Sequence, residues 1–126
     1  MSQTAAATKK ILVADDSAVV RQQLRIVLQQ AGYNVVEAFD GEHALELLQR
    51  INVQLILCDV NMPRMNGLEL IEQLKLRASL RPCLMLTIER HEELLERARR
   101  AGAMGWIIKP FKAEQLVKAV AKLLGG

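Results

Sequence analysis

Five short apolar runs recur along the chain: KILVA (10–14), NVVEA (34–38), QLILC (54–58), PCLMLT (82–87) and GWIIK (105–109). Each reads as a strand, and each is followed by a longer segment with apolar residues at helical spacing. Val20, Leu24, Val27, Leu28 and Ala31 line one such face, and Ala44, Leu47, Leu48 and Ile51 another. After the third run the stripe is weaker, resting on Leu70, Ile71 and Leu74, and after the fourth it is built on Leu94, Leu95, Ala98 and Ala101. The last helix places Ala113, Leu116, Val117, Val120, Leu123 and Leu124 on one face and leaves Lys118 and Lys122 outside. Punctuation agrees with these elements. Ala31-Gly32 and Ala101-Gly102 supply glycine where helices end. Ser17 and Asp40 are N-cap residues, and Asn66 with Glu69 three positions later has the form of a capping box.

The order is (βα)5, with no linker and no low-complexity segment. Apolar strands alternating with amphipathic helices predict a five-stranded parallel sheet covered on both faces. Right-handed crossovers turn this into a doubly wound α/β sandwich. Ligands of such sheets bind beyond the carboxyl ends of the strands, near the point where strand order reverses.

Composition narrows the picture further. A chain of 126 residues suits one domain, here 10–126 after a flexible tail of 1–9, and 51% hydrophobic residues suffice for a core. With 3% aromatics, that core is aliphatic. The net charge of +3 comes without a basic run, which argues against direct nucleic-acid binding, and Arg97 to Arg100 reads as a solvated helix face. Cys58 and Cys83 form neither a disulfide framework nor a zinc spacing, and their strand positions put them roughly 10 Å or more apart. The opening MSQTAAATKK has no apolar core of a signal peptide. No apolar stretch approaches the length of about 18 residues needed to span a membrane. A cytoplasmic location is expected.

The carboxyl-end rule gives chemistry to residues that are unremarkable singly. The first run ends at Asp15-Asp16, the third at Asp59, the fourth at Thr87, and the fifth at Lys109, followed by Pro110. A lone Asp at a strand end is usually a turn former, a lone Thr a good strand residue, and a lone Lys a solvated charge. Trp106 and Phe111 read as core, and His43 and His91 as helix residues. Joint placement changes the reading. Two carboxylates ~4 Å apart repel by about 4 kcal/mol at an effective dielectric near 20, so three acids on one rim call for a cation. A hard, oxygen-seeking divalent ion suits them, Mg2+ best, since it needs one or two carboxylates and bridges to phosphate. A metal, a Lys and a hydroxyl around a carboxylate are the parts of phosphoryl transfer, and a carboxylate can itself be the nucleophile.

The segments ILVADDS, CDVNMPRMNGLEL, LTIE and AMGWIIKPF closely resemble the bacterial response-regulator receiver domain. By length the chain is similar to the single-domain, chemotaxis-regulator-like kind. The likeness runs from about Lys10 to Leu124, and Asp59 to Gly67 is its most specific stretch. It implies a flavodoxin-like receiver fold with strand order 2-1-3-4-5. It implies Asp59 as phosphoacceptor, Asp16 as a direct Mg2+ ligand, Asp15 as a ligand through water, and the Asn61 backbone carbonyl as a further ligand. Lys109 and Thr87 would each bind a phosphoryl oxygen, the Lys109-Pro110 bond would be cis, and Trp106 would hold the switch-aromatic position. The implied partners are a sensor histidine kinase or phosphotransfer protein and an effector reading the face of the fourth helix, fifth strand and fifth helix. The chain would be a monomer or a phosphorylation-dependent weak dimer, and not an enzyme beyond catalysing its own phosphorylation and dephosphorylation.

Two residues depart from the family pattern. Ile88, where a small residue is usual, would crowd the acceptor, and Trp106 is bulkier than the usual Tyr or Phe. The output face reads as basic through Arg90, Arg97, Arg99, Arg100, Lys112 and Lys118, which points to an acidic partner. Three other readings are available. A haloacid-dehalogenase-like phosphatase would need an acid where Asn61 stands. A flavodoxin-like cofactor binder would need a phosphate loop in place of ADDSAVV. A receiver-like module that is never phosphorylated fits the bulk of Ile88 but not the intact acid set.

Overall fold

The computed structural model describes residues 8–88 and 90–125. Strands β1 (Lys10–Ala14), β2 (Asn34–Ala38), β3 (Leu55–Asp59), β4 (Cys83–Thr87) and β5 (Gly105–Ile108) alternate with helices α1 (Ala18–Gln30), α2 (Gly41–Arg50), α3 (Gly67–Leu76), α4 (Glu92–Ala101) and α5 (Ala113–Leu124). All four strand pairings are parallel, and the order is β2-β1-β3-β4-β5. This is the (βα)5 doubly wound sheet the sequence predicts. Helices α1 and α5 pack together on one face, and α2, α3 and α4 follow one another across the other.

Alternation along the strands divides the core. Ile11, Val13, Leu55, Leu57, Leu84 and Leu86 point to the α1 and α5 side. Leu12, Ala14, Ile56, Cys58, Cys83 and Met85 point to the α2, α3 and α4 side. Every residue of β3 and β4 is buried, whereas edge strand β2 is mostly half-buried. The strand order reverses between β1 and β3, so Asp15 and Asp59 flank the crevice at that point.

The caps form as the sequence predicts. Ser17 Oγ accepts from Val20 N, and Asp40 Oδ1 accepts from His43 N. Asn66 and Glu69 complete a reciprocal capping box. Gly32 and Gly102 take φ of +98° and +113°, a region glycine enters without steric cost. Helix α3, the weakest in pattern, is among the most buried: Leu68, Leu70, Ile71 and Leu74 all lie inside. Its stripe is blurred because neighbours cover a wide arc of it.

Several expected positions shift. Gln54 lies outside β3 and instead clamps β1, its Oε1 accepting from Lys10 N at 2.7 Å. Asp59 is the last residue of β3 rather than the first beyond it, and Lys109 is the first beyond β5. Ala31 and Ala113, expected on apolar faces, are exposed at helix ends. The cysteines are closer than expected. Cys83 pairs in register with Ile56, two residues before Cys58, an offset of about 7 Å along the strands. Both are free and buried. Burial pushes the Cys83 thiol up to about 11 and the Cys58 thiol well above the ordinary thiol range, which makes them inert core residues.

Most of the expected tail, 1–7, lies outside the described residues. Lys9 is tied to the domain, its carbonyl accepting from Asn34 N and its ammonium donating to the Leu124 carbonyl at 2.7 Å. Among the described residues no helix is long and apolar enough to cross a membrane.

Candidate functional site: an acidic pocket at the strand ends

Asp15 follows β1, and its N–H continues the ladder to the Ala38 carbonyl at 3.1 Å. Its carboxylate is fully buried. Oδ1 accepts from Ser17 N at 2.9 Å, and Oδ2 accepts from Lys109 Nζ at 2.9 Å. Asp59 is 5% exposed. Its Oδ1 accepts from Asn61 N at 3.1 Å and its Oδ2 from Lys109 Nζ at 3.1 Å. One ammonium therefore joins two carboxylates from strands that meet at the reversal of order. Asp16 is exposed, yet it offers an oxygen to the same cluster: ligand atoms of Asp15, Asp16 and Asp59 lie within 4.8 Å of one another.

The electrostatics follow from this crowding. Burial pushes the Asp59 carboxyl above its ordinary range, and the Asp15 charge pushes it further, against the lowering effect of the Asn61 N–H and Lys109. For Lys109, burial alone would lower the ammonium. Its hydrogen bonds to Asp15 and Asp59, with their charges, outweigh that and raise it. Three carboxylates cluster here while the Lys109 ammonium binds two of them, and all the clustered ligand atoms are oxygen. That donor set fits a hard divalent cation such as Mg2+.

The remaining sequence-predicted residues fall around this pocket. Asn61 is exposed at its mouth, in a small hollow lined also by Asp16, Met62, Pro63 and Asn66. Thr87 is buried at the end of β4, and its carbonyl accepts from Lys109 N at 2.7 Å. The Lys109-Pro110 bond is cis. Trp106 pairs with Met85 in register, two positions before the Thr87–Ile108 pair and so on the same sheet face. It is half-buried against the core on the α2, α3 and α4 side, and the Arg90 guanidinium carbon lies 5.9 Å from its ring centroid. Ile88, expected to crowd the acceptor, is 64% exposed. It borders a groove with Val20, Val27, Lys109 and Phe111.

The basic output face needs correcting. Arg97 pairs with Glu72, Arg99 with Glu96 and Arg90 with Glu92. Much of that positive charge is thus neutralised locally by acids from α3 and from α4 itself.

Sequence reasoning missed two features of the site. Gly67 is required because an added Cβ would overlap the Asp59 carbonyl, so α3 starts against the strand that carries the acid. The second is Arg64, whose guanidinium binds the buried carboxylate of Asp40. Asp40 was legible only as a cap. Burial would raise its carboxyl, but the His43 N–H and Arg64 outweigh burial and hold it below the usual range.

A doubly wound parallel sheet of this order, with acids and a lysine gathered where its strand order reverses, is a flavodoxin-like α/β domain. Residues 11–121 match the response regulator receiver domain, and the chain belongs to that family, the receiving part of two-component systems. It is 37% identical over 117 residues to the transcriptional regulatory protein PdtaR of Mycobacterium tuberculosis, covering 92% of this chain and 57% of that protein. The chain thus spans little more than half the length of that relative. It is 34% identical over 117 residues to the chemotaxis protein CheY of Pseudomonas aeruginosa, covering 90% of this chain and 94% of that one. Among solved structures, chemotaxis protein CheY4 of Vibrio cholerae superposes with a TM-score of 0.88 at 39% identity, covering 93% of this chain and 99% of that one.

Proposed function

We propose that Asp59 accepts a phosphoryl group in a magnesium-dependent reaction, from the phosphohistidine of a sensor histidine kinase or phosphotransfer protein. The observation that carries this reading is the Lys109 ammonium bound at once to Asp15 and Asp59, with an Asp16 oxygen in the same cluster. Asp15, Asp16, Asp59 and the Asn61 carbonyl would hold Mg2+, which supplies charge neutralisation for the phosphoryl oxygens.

The chain's own groups do the rest. An Asp59 carboxylate oxygen forms the new O–P bond while the donor's P–N bond, or the P–O bond of an acyl phosphate, breaks. The bonding pair leaves with the donor. The Asn61 N–H and the buried end of β3 fix the nucleophile in place. Lys109 gives up its bond to Asp59 for one to a phosphoryl oxygen, and the Thr87 hydroxyl takes another. The product adds roughly −1.5 to −2 charge. Movement of Thr87 then changes the setting of Trp106 on the same sheet face, so the face of α4, β5 and α5 shifts between two packings that an effector protein reads. Water later hydrolyses the acyl phosphate. On this reading the chain is a cytoplasmic switch, monomeric or weakly dimeric when phosphorylated. It catalyses only its own phosphorylation and dephosphorylation. The intact acid set, with Lys109 bound to two of its members, favours this over a module that is never phosphorylated.

Intact mass after incubation with Mg2+ and acetyl phosphate tests the proposal. One phosphoryl group is expected on the wild type and none on Asp59→Asn. Equal modification of the two would refute Asp59 as acceptor.

A further inference from the structure

Residues 60–66 link β3 to α3 and carry Asn61, whose N–H donates to Asp59 Oδ1 and which shares a hollow with Asp16. The near side of this loop is tied to neighbouring β4, with Val60 N donating to the Leu86 carbonyl at 2.9 Å, and it closes on itself where Gly67 N donates to the Val60 carbonyl at 3.2 Å. Its far side crosses to the head of α2. Gly41 N donates to the Met65 carbonyl at 3.0 Å, and a Cβ on Gly41 would overlap that carbonyl. The two segments therefore meet backbone to backbone.

Arg64 sits at the crossing. Its φ is +65°, a region a residue with a long side chain seldom enters. Such a conformation persists when its surroundings over-determine it. Here they do so through the side chain. The guanidinium binds Asp40 Oδ2 and lies 3.4 Å from a Glu42 oxygen. Asp40 is fully buried, and its other oxygen caps α2 through His43 N at 2.8 Å. A surface ion pair holds little. The Asp40 carboxylate is 1% exposed beneath an Arg64 side chain that is 58% exposed, so opening this contact strips a shielded charge of its partner.

We infer that Arg64 is a positioning residue for the acidic pocket: by locking the β3–α3 loop to buried Asp40, it holds the Asn61 carbonyl and the Asp59 carboxylate in register with Asp15 and Asp16. It touches neither metal nor phosphoryl group and acts through the loop. The inference rests on the proposed magnesium site. Outer partners of metal ligands typically change affinity by about 10–100-fold when removed.

Arg64→Gly removes the anchor while relieving the backbone, so it should fold, and Arg64→Lys keeps the charge without the fork. Two readouts on the full chain test the role. In metal-free protein, amide hydrogen exchange should quicken about tenfold at Asn61, Gly67 and Gly41 in Arg64→Gly, with Leu12 and Val36 in the sheet unchanged. Magnesium affinity, read by Trp106 fluorescence, should weaken about tenfold in Arg64→Gly and less in Arg64→Lys. Asp40→Asn retains a capping side chain, and combining it with Arg64→Gly should add little further loss. Uniform quickening at every amide, additive losses, or wild-type magnesium affinity in folded Arg64→Gly would overturn the inference. A wild type that binds no magnesium would instead sink the site reading beneath it.

Discussion

Asp59 carries opposing demands. It must be buried to be fixed in place, yet it sits beside a second buried carboxylate with a single ammonium between them. Because its carboxyl is raised on folding, the native state binds protons more readily than the unfolded chain above the ordinary carboxylate range. Stability contributed by this group therefore falls as pH rises through that window. Metal-free Asp59→Asn should accordingly melt above the wild type at neutral pH, by roughly 0.5–2 kcal/mol. The advantage should shrink on acidification through the ordinary carboxylate range, as wild-type Asp59 takes up its proton. Asp16→Ala should gain less, since Asp16 is exposed. Calorimetric melts in chelator across that pH range check this, and a lower melting temperature for Asp59→Asn would contradict it. The four charged residues of this cluster were legible in the sequence because each ends a strand of a recognisable parallel sheet. The Arg64–Asp40 pair was not, because a partner 24 residues away is brought near only by the return of a loop.

Elements were legible to the degree that one face of each meets water. Helix α4 has a sharp stripe of Leu95, Ala98 and Ala101 and an exposed polar side, whereas α3 buries residues around much of its girth. Its capping box carries the signal its pattern lacks. Asn66→Ala should cost about 1 kcal/mol by melting, as lost N-caps do. Gly67→Ala is a sharper test. Alanine normally favours a helix by roughly 1 kcal/mol over glycine. Here the added methyl meets the Asp59 carbonyl, so the sign should reverse to a loss of about 1–3 kcal/mol, the cost of overpacking. A stabilised Gly67→Ala would show that α3 does not press on the acid-bearing strand.

For the molecule as a whole, periodicity predicts alternating strands and helices and a sheet covered twice. The strand order is implied only by the family resemblance, since nothing local says which side of β1 receives β3. Once the chain takes that order, β1 and β3 become neighbours with opposite exits, and the crevice between them follows from topology. Charge was least legible at this scale: a count of Arg and Lys on one face overstates its field when Arg97, Arg99 and Arg90 are matched by nearby acids. What the assembled sheet produces is a small oxygen-lined pocket held together by one lysine. Titration calorimetry with magnesium chloride tests that most directly. The wild type should take up one ion per chain, and Asp16→Ala should lose most of that affinity. Absence of uptake by the wild type, or equal uptake by the variant, would contradict the account.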